Sequence, residues 1–252
     1  MQEYNEVISD AMHELRYFNQ RLKNLIEQTS KRLSSDKIGK NEPLNLHYQA
    51  ADELRLLAES ILEISMLFTS RLDFIDCELN PETINNLPVS DFNMYGKFDK
   101  ARRVLNAVAR EKKVKVKINS EYCSGIKGRV IKARSIIDIL PYLILDNAIK
   151  YSPSENEVYI DYVEYPDSVI VKVESIGPFV TPNEIENIFK KGYRSENALK
   201  LVGANGKGLG LYFAKYICDI NNIKIAILSD KLNYSSEGIE MGNFCVELSF
   251  DI

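Results

Sequence analysis

The chain has 252 residues, of which 36 are acidic and 32 basic, so its formal charge is -4 and its surface is a poor general partner for nucleic acid. With 45% hydrophobic and 27% charged residues it has an ordinary globular balance, which excludes a largely disordered chain. No run approaches the roughly 18–20 apolar residues of a membrane helix, and the start MQEYNEVISDAMHELR lacks the basic and apolar regions of a secretory signal, so a cytoplasmic protein without membrane insertion is expected.

Residues 1–80 carry a helical pattern. Tyr4, Ile8, Ala11, Leu15, Phe18, Leu22 and Leu25 step by four and three, a heptad seam. The polar stretch SSDKIGKNEPLNL, 34–46, interrupts it, and a second seam follows through Leu54, Leu57, Ile61, Ile64, Phe68, Leu72 and Ile75. Two such helices form an αα-hairpin with one exposed apolar stripe. A homodimer through this N-terminal hairpin, giving a four-helix bundle, buries the stripe; packing on the chain's own C-terminal half is the alternative. His13 lies outside the seam between Asp10 and Glu14, where a carboxylate can orient the imidazole, although many exposed helical histidines do nothing.

Residues 81–94 contain two prolines and are expected to be a linker. From 95 to 252 the texture is mixed. A helix is expected over 95–111, a strand at 114–118 and an apolar helix over 136–151. Strands at 157–165 and 168–175 are split by the turn pair Pro166-Asp167, and Thr181 with Glu184 forms a capping box. A further helix spans 209–221, and strands close the chain at 223–229 and 244–250. The four cysteines are far apart, with no CxxC pair, and are expected to be reduced thiols.

Two segments point to chemistry. Gly206, Gly208 and Gly210 alternate just before a helix, leaving backbone N–H groups bare for phosphate, although glycines also mark plain flexible loops. No GK[ST] follows, so this is not a P-loop. In the helix 136–151, Asp146 and Asn147 sit among apolar residues with Lys150 one turn on. A Mg2+ ion on nucleotide phosphates would satisfy the Asn147 amide; a solvated helix end would too.

Together these features resemble the catalytic core of bacterial sensor histidine kinases, over about residues 5–250. The resemblance implies an α+β chain: a dimeric helical hairpin followed by a GHKL (Bergerat-type) α/β sandwich that binds ATP and Mg2+. His13-Glu14-Leu15-Arg16 stands where the family has its phosphoacceptor, making His13 and Glu14 the implied catalytic pair. Asp146-Asn147-Ala148-Ile149-Lys150-Tyr151-Ser152 matches the family's N box, so Asn147 is the implied magnesium ligand, with Lys150 and Tyr151 beside it. Ser175-Ile176-Gly177-Pro178-Phe179 stands in place of D-x-G-x-G, and 188–195, which contains Arg194, looks like the F box. Gly206-Lys207-Gly208-Leu209-Gly210 matches the second glycine box. The implied cofactor contacts are thus Asn147, Lys150, Tyr151, Ser175, Gly177, Arg194 and 206–210.

Departures accompany the matches. Ser175 replaces the carboxylate that the family uses for the adenine amine, a loss of about 2 kcal/mol. Phe179 replaces a glycine at the expected pocket edge, Leu143 a polar group near the metal, and Phe18 a proline after the phosphoacceptor. The leading expectation is an ATP-dependent histidine kinase in two-component signalling. A catalytically degenerate scaffold and a GHKL ATPase switch are the alternatives. With no receiver segment after residue 250 and no sensor before residue 5, input and output are expected from partners, a response regulator among them.

Overall fold

The computed structural model describes residues 24, 26, 61, 65, 72, 74–119, 128–202 and 207–251. His13, Glu14, Gly206 and the hairpin seams through residue 68, apart from Ile61, lie outside them. The chain divides into two compact units, Met1–Asn86 and Leu87–Ile252. In the first, the described helical residues 74–79 lead into a 3-10 turn over Pro81–Asn86, with the Asn80 carbonyl accepting from the Thr83 amide at 2.9 Å.

The second unit runs β1 (Val89–Asn93), α1 (Met94–Val104), α2 (Asn106–Glu111), β2 (Lys115–Asn119), β3 (Val130–Arg134), α3 (Leu140–Tyr151), β4 (Glu157–Glu164), β5 (Ser168–Pro178), α4 (Pro182–Ile185), α5 (Glu196–Val202), α6 (Gly210–Ile220), β6 (Lys224–Ser236) and β7 (Ile239–Asp251). A mixed sheet has the order β2-β4-β5-β7-β6, with β2 parallel to β4 and the other pairs antiparallel; β1 and β3 form a separate antiparallel pair. Residues 89–93, expected within the linker, therefore belong to a sheet. The single helix expected over 95–111 breaks at Leu105, and the closing strands run on past 229 and start before 244 to meet at a hairpin turn. Glu237 and Gly238 both have positive φ, 52° and 76°, as a two-residue hairpin turn of the primed type requires.

Alternation explains which face is core. On β5, Val169, Val171 and Val173 are buried; the register sets them opposite Phe250, Leu248 and Val246 of β7, also buried, while Ile160 and Tyr162 of β4 fill the other side. On α3, Ile144, Leu145, Ala148 and Ile149 recur at helical spacing and face this layer. The β5 row continues to Ser175 and Gly177, and the β7 row to Phe244, so at that end of the sheet the packed core gives way to an apolar floor that carries a single hydroxyl.

Cys77, Cys218 and Cys245 are buried free thiols. Burial pushes Cys218 up to about 12 and Cys245 up to about 11, so neither supplies a thiolate at neutral pH.

Candidate nucleotide site

An open cleft lies where the core rows end. Its floor is Ser175 and Gly177 of β5 with Phe244 of β7, and its walls come from α3, the 188–195 segment and the start of α6. Asn147 and Tyr151 are four apart on α3, one above the other on the same helix face, so both reach it.

The polar equipment is sparse and directed. Burial pushes the Tyr151 phenol up, and the neighbouring Arg194 guanidinium, hydrogen-bonded to it, offsets only part of the shift. Arg194 also donates to the Ala198 carbonyl at 3.3 Å, which ties it to α5. Among the described residues the Asn147 side chain has no protein hydrogen bond. Gly208 has φ +68°, and a Cβ there would lie 2.5 Å from the Tyr193 carbonyl oxygen and 2.7 Å from the Gly192 carbonyl carbon. The glycine thus lets 207–209 lie directly on the 192–193 backbone. Gly210 opens α6, whose N-cap, Leu209, makes no side-chain cap bond, so the first amides of this 11-residue helix are not capped by a side chain.

Glu184 organises the approach to Arg194. Its carboxylate accepts from the Thr181 amide at 3.0 Å, the Thr181 hydroxyl at 2.8 Å and the Glu196 amide at 3.1 Å, and the Tyr193 hydroxyl stands at 3.5 Å. Burial raises the carboxyl's pKa, but these hydrogen bonds outweigh it and hold the group below its usual value. A lowered folded pKa contributes stability that is present above the unfolded pKa and is lost as pH falls through the folded one. Acid unfolding from pH 7 downward is therefore expected to show a shallower loss of stability in Glu184→Gln than in the wild type below about pH 4.5, with a lower stability at neutral pH. Parallel acid profiles would exclude this carboxylate as an ionised anchor.

Seven of the residues expected from sequence meet in the cleft: Asn147, Tyr151, Ser175, Gly177, Arg194, Gly208 and Gly210. Lys150, Lys207 and Leu209 do not line it. The Lys150 ammonium lies 5.5 Å from the Tyr151 ring centroid, and its carbonyl accepts from Lys112, which satisfies one of the last carbonyls of α3. Burial, and then the nearby Lys150 charge, lower the Lys112 pKa. Lys207 is exposed, and Leu209 is buried in the core. Phe179 does not edge the cleft either: its ring packs near the Gly242 backbone and under Lys231, 5.8 Å from the ammonium. Tyr193 and Ser195, from the 188–195 segment, also line the cleft, and so does Phe244, which no motif contained. The Ser195 hydroxyl is engaged as the cap of α5, accepting from the Ala198 amide at 3.3 Å.

The residues present fit a nucleotide. An apolar floor suits a base, and the Gly208 cradle, the α6 amides and Arg194 suit phosphates. Among the described residues no His, Cys, Asp and Glu cluster could hold a metal by itself. A Mg2+ ion at Asn147 would take its amide oxygen and fill its other positions from phosphate and water. No helix among the described residues is long and apolar enough to cross a membrane.

Comparison with known proteins agrees with this geometry. Residues 142–251 match the model of the histidine kinase-, DNA gyrase B-, and HSP90-like ATPase family. The sensor histidine kinase CusS of Escherichia coli O6:H1 (strain CFT073) is 24% identical over 225 residues, which are 88% of this chain and 42% of CusS. The histidine protein kinase SaeS of Staphylococcus aureus (strain USA300) is 35% identical over 89 residues, 34% of this chain and 25% of SaeS. The chain thus spans less than half the length of these relatives. The catalytic domain of histidine kinase ThkA shares the fold, with a TM-score of 0.51 and 16% identity over 66% of this chain and 96% of that one. The chain thus carries, over the matched residues 142–251, a GHKL-type ATP-binding domain homologous to the cores of sensor histidine kinases.

Proposed function

We propose that the chain is a histidine kinase core that binds ATP with Mg2+ in the cleft and phosphorylates His13. The observation that carries this reading is the meeting of Asn147, the Tyr151–Arg194 pair and the bare backbone of Gly208 and Gly210 around one apolar floor. When bound, ATP supplies the phosphoryl group and Mg2+ neutralises phosphate charge. Arg194 and the α6 amides fix the phosphates, and Asn147 offers its oxygen to the ion. The His13 imidazole attacks the γ-phosphorus in line; the new P–N bond forms as the bridging P–O bond to the departing ADP breaks. Glu14, the next residue, accepts the proton that the ring loses. The heptad seams of residues 4–25 and 54–75 support a homodimer through the hairpin, and a response regulator would take the phosphoryl group onward.

One observation favours a second reading, a dimeric scaffold with a weakened nucleotide site: buried Ser175 supplies a hydroxyl where the family's carboxylate would stand. The third, an ATPase switch, lacks an evident water-activating carboxylate because Leu143 occupies the usual place. Incubation with γ-labelled ATP and Mg2+ separates the three. Acid-labile label is expected on the wild type and none on His13→Gln. Nucleotide binding without label would replace the kinase by the scaffold, and phosphate release independent of His13 would replace it by the ATPase.

A further inference from the structure

Ser175 closes the row Val169, Val171, Val173 on β5 and is 8% exposed, the small remainder facing the cleft. Its neighbours in the floor carry no polar side chain: Phe244 lies opposite it in register, and Gly177 follows on the same face. Ala148 and Val180 complete the apolar surroundings. Among the described residues no protein group hydrogen-bonds the Ser175 hydroxyl. The charged and amide-bearing side chains, Arg194 and Asn147, come from the walls. Tyr151 and Tyr193 also stand in the walls, so within the floor itself Ser175 offers the one polar side chain to a flat ring, and that group both donates and accepts.

We infer that this end of the cleft takes 6-oxo and 6-amino purines alike, so that guanine nucleotides are ligands of the site as well as adenine nucleotides; the inference rests on the nucleotide reading above. A carboxylate accepts only, and would bond an exocyclic amine while repelling a ring carbonyl. The serine hydroxyl rotates to suit: it accepts from a 6-amino group or donates to a 6-oxo group, and is neutral toward both. Strong discrimination requires that the wrong base leave a buried polar group unpaired, and here neither base does. The apolar floor contributes equally to both rings, because stacking and burial do not read the 6-substituent.

Calorimetric titration of the full chain with ATP and with GTP, each with Mg2+, tests this. The wild-type dissociation constants are expected within about tenfold of each other, a difference of about 1.4 kcal/mol or less. Ser175→Asp is expected to favour ATP over GTP by at least about tenfold more than the wild type does. Ser175→Ala, a smaller change at a buried site, is expected to weaken both by a similar factor. Wild-type binding of ATP more than about tenfold tighter than GTP would overturn the inference while leaving the nucleotide reading intact. So would an ATP-to-GTP ratio in Ser175→Asp unchanged from the wild type. Absence of binding by either nucleotide would overturn both.

Discussion

Gly208→Ala is expected to cost the C-terminal unit about 2–5 kcal/mol of stability and to remove most of its affinity for nucleotide. Two penalties combine. At φ +68° an alanine pays the left-handed backbone cost of about 1–2 kcal/mol. Its methyl would also stand 2.5 Å from the Tyr193 carbonyl oxygen and 2.9 Å from that of Gly192. These are backbone atoms, so no side-chain rotation relieves the contact, and the 207–209 segment must lift away from 192–193. That displacement carries Gly210 away from Arg194, so the groups argued to grip phosphate no longer converge. In thermal unfolding the variant should melt roughly 5–15 °C below the wild type. Gly210→Ala is the contrast: no atom lies within 4 Å of an added methyl there, so stability should stay level or rise by up to about 1 kcal/mol as helix propensity improves. Equal melting temperatures for Gly208→Ala and the wild type would refute the close packing of 208 on 192–193.

The period-two rows were legible in the sequence because burial enforces them: in SVIVKVES every second residue of 169–173 is core. The row also indicates that Ser175 points inward, but not that a cleft begins there. That follows from the β5–β7 register, which sets Phe244 opposite, and from α3, whose turn at 147–151 stands above. Strands β1 and β3 are poorly legible. In VSDFN only Phe92 is buried, so the hydrophobic signal of a strand is absent and the pairing with 130–134 makes the element. The same holds for the far halves of β6 and β7. Residues 232–236 are largely exposed and polar; the ladder across the Glu237-Gly238 turn pairs Ser235 and Ser236 with Glu240 and Ile239, and a register shift separates them from Lys231. The cleft residues named from motifs were those whose chemistry shows in one letter, such as Asn147 and Arg194. Lys150 shows the limit of a motif read in one letter: its place on α3 sets its ammonium 5.5 Å from the Tyr151 ring centroid, and it is not among the lining residues. Phe179 was misleading: replacing a glycine need not fill the pocket when the neighbouring strand offers its own glycine, Gly242, against which the ring can lie.

Asn147→Ala should separate function from folding more cleanly than any other change in the cleft. The side chain is half-buried on α3 and has no protein hydrogen bond among the described residues, so its truncation leaves no partner unsatisfied. The alanine is moreover the better helix former, and stability should remain within about 0.5 kcal/mol of the wild type. A polar amide kept among apolar neighbours without a protein partner has its use outside the fold, in what binds. If that is an ion on nucleotide phosphates, the variant should lose about 1.5–3 kcal/mol of ATP affinity in the presence of Mg2+, roughly 10- to 100-fold. Without the ion, wild type and variant should bind alike. Asn147→Asp tests the chemistry further: it keeps oxygen ligands, exchanges the N–H donors for a second oxygen and adds a negative charge that Mg2+ offsets and bare phosphates repel, so it should retain the Mg2+ dependence that alanine abolishes. Calorimetric titrations with and without Mg2+, alongside melting curves, resolve these outcomes. A lowered melting temperature for Asn147→Ala would make the residue structural, and an equal loss of affinity with and without Mg2+ would remove it from the metal's coordination.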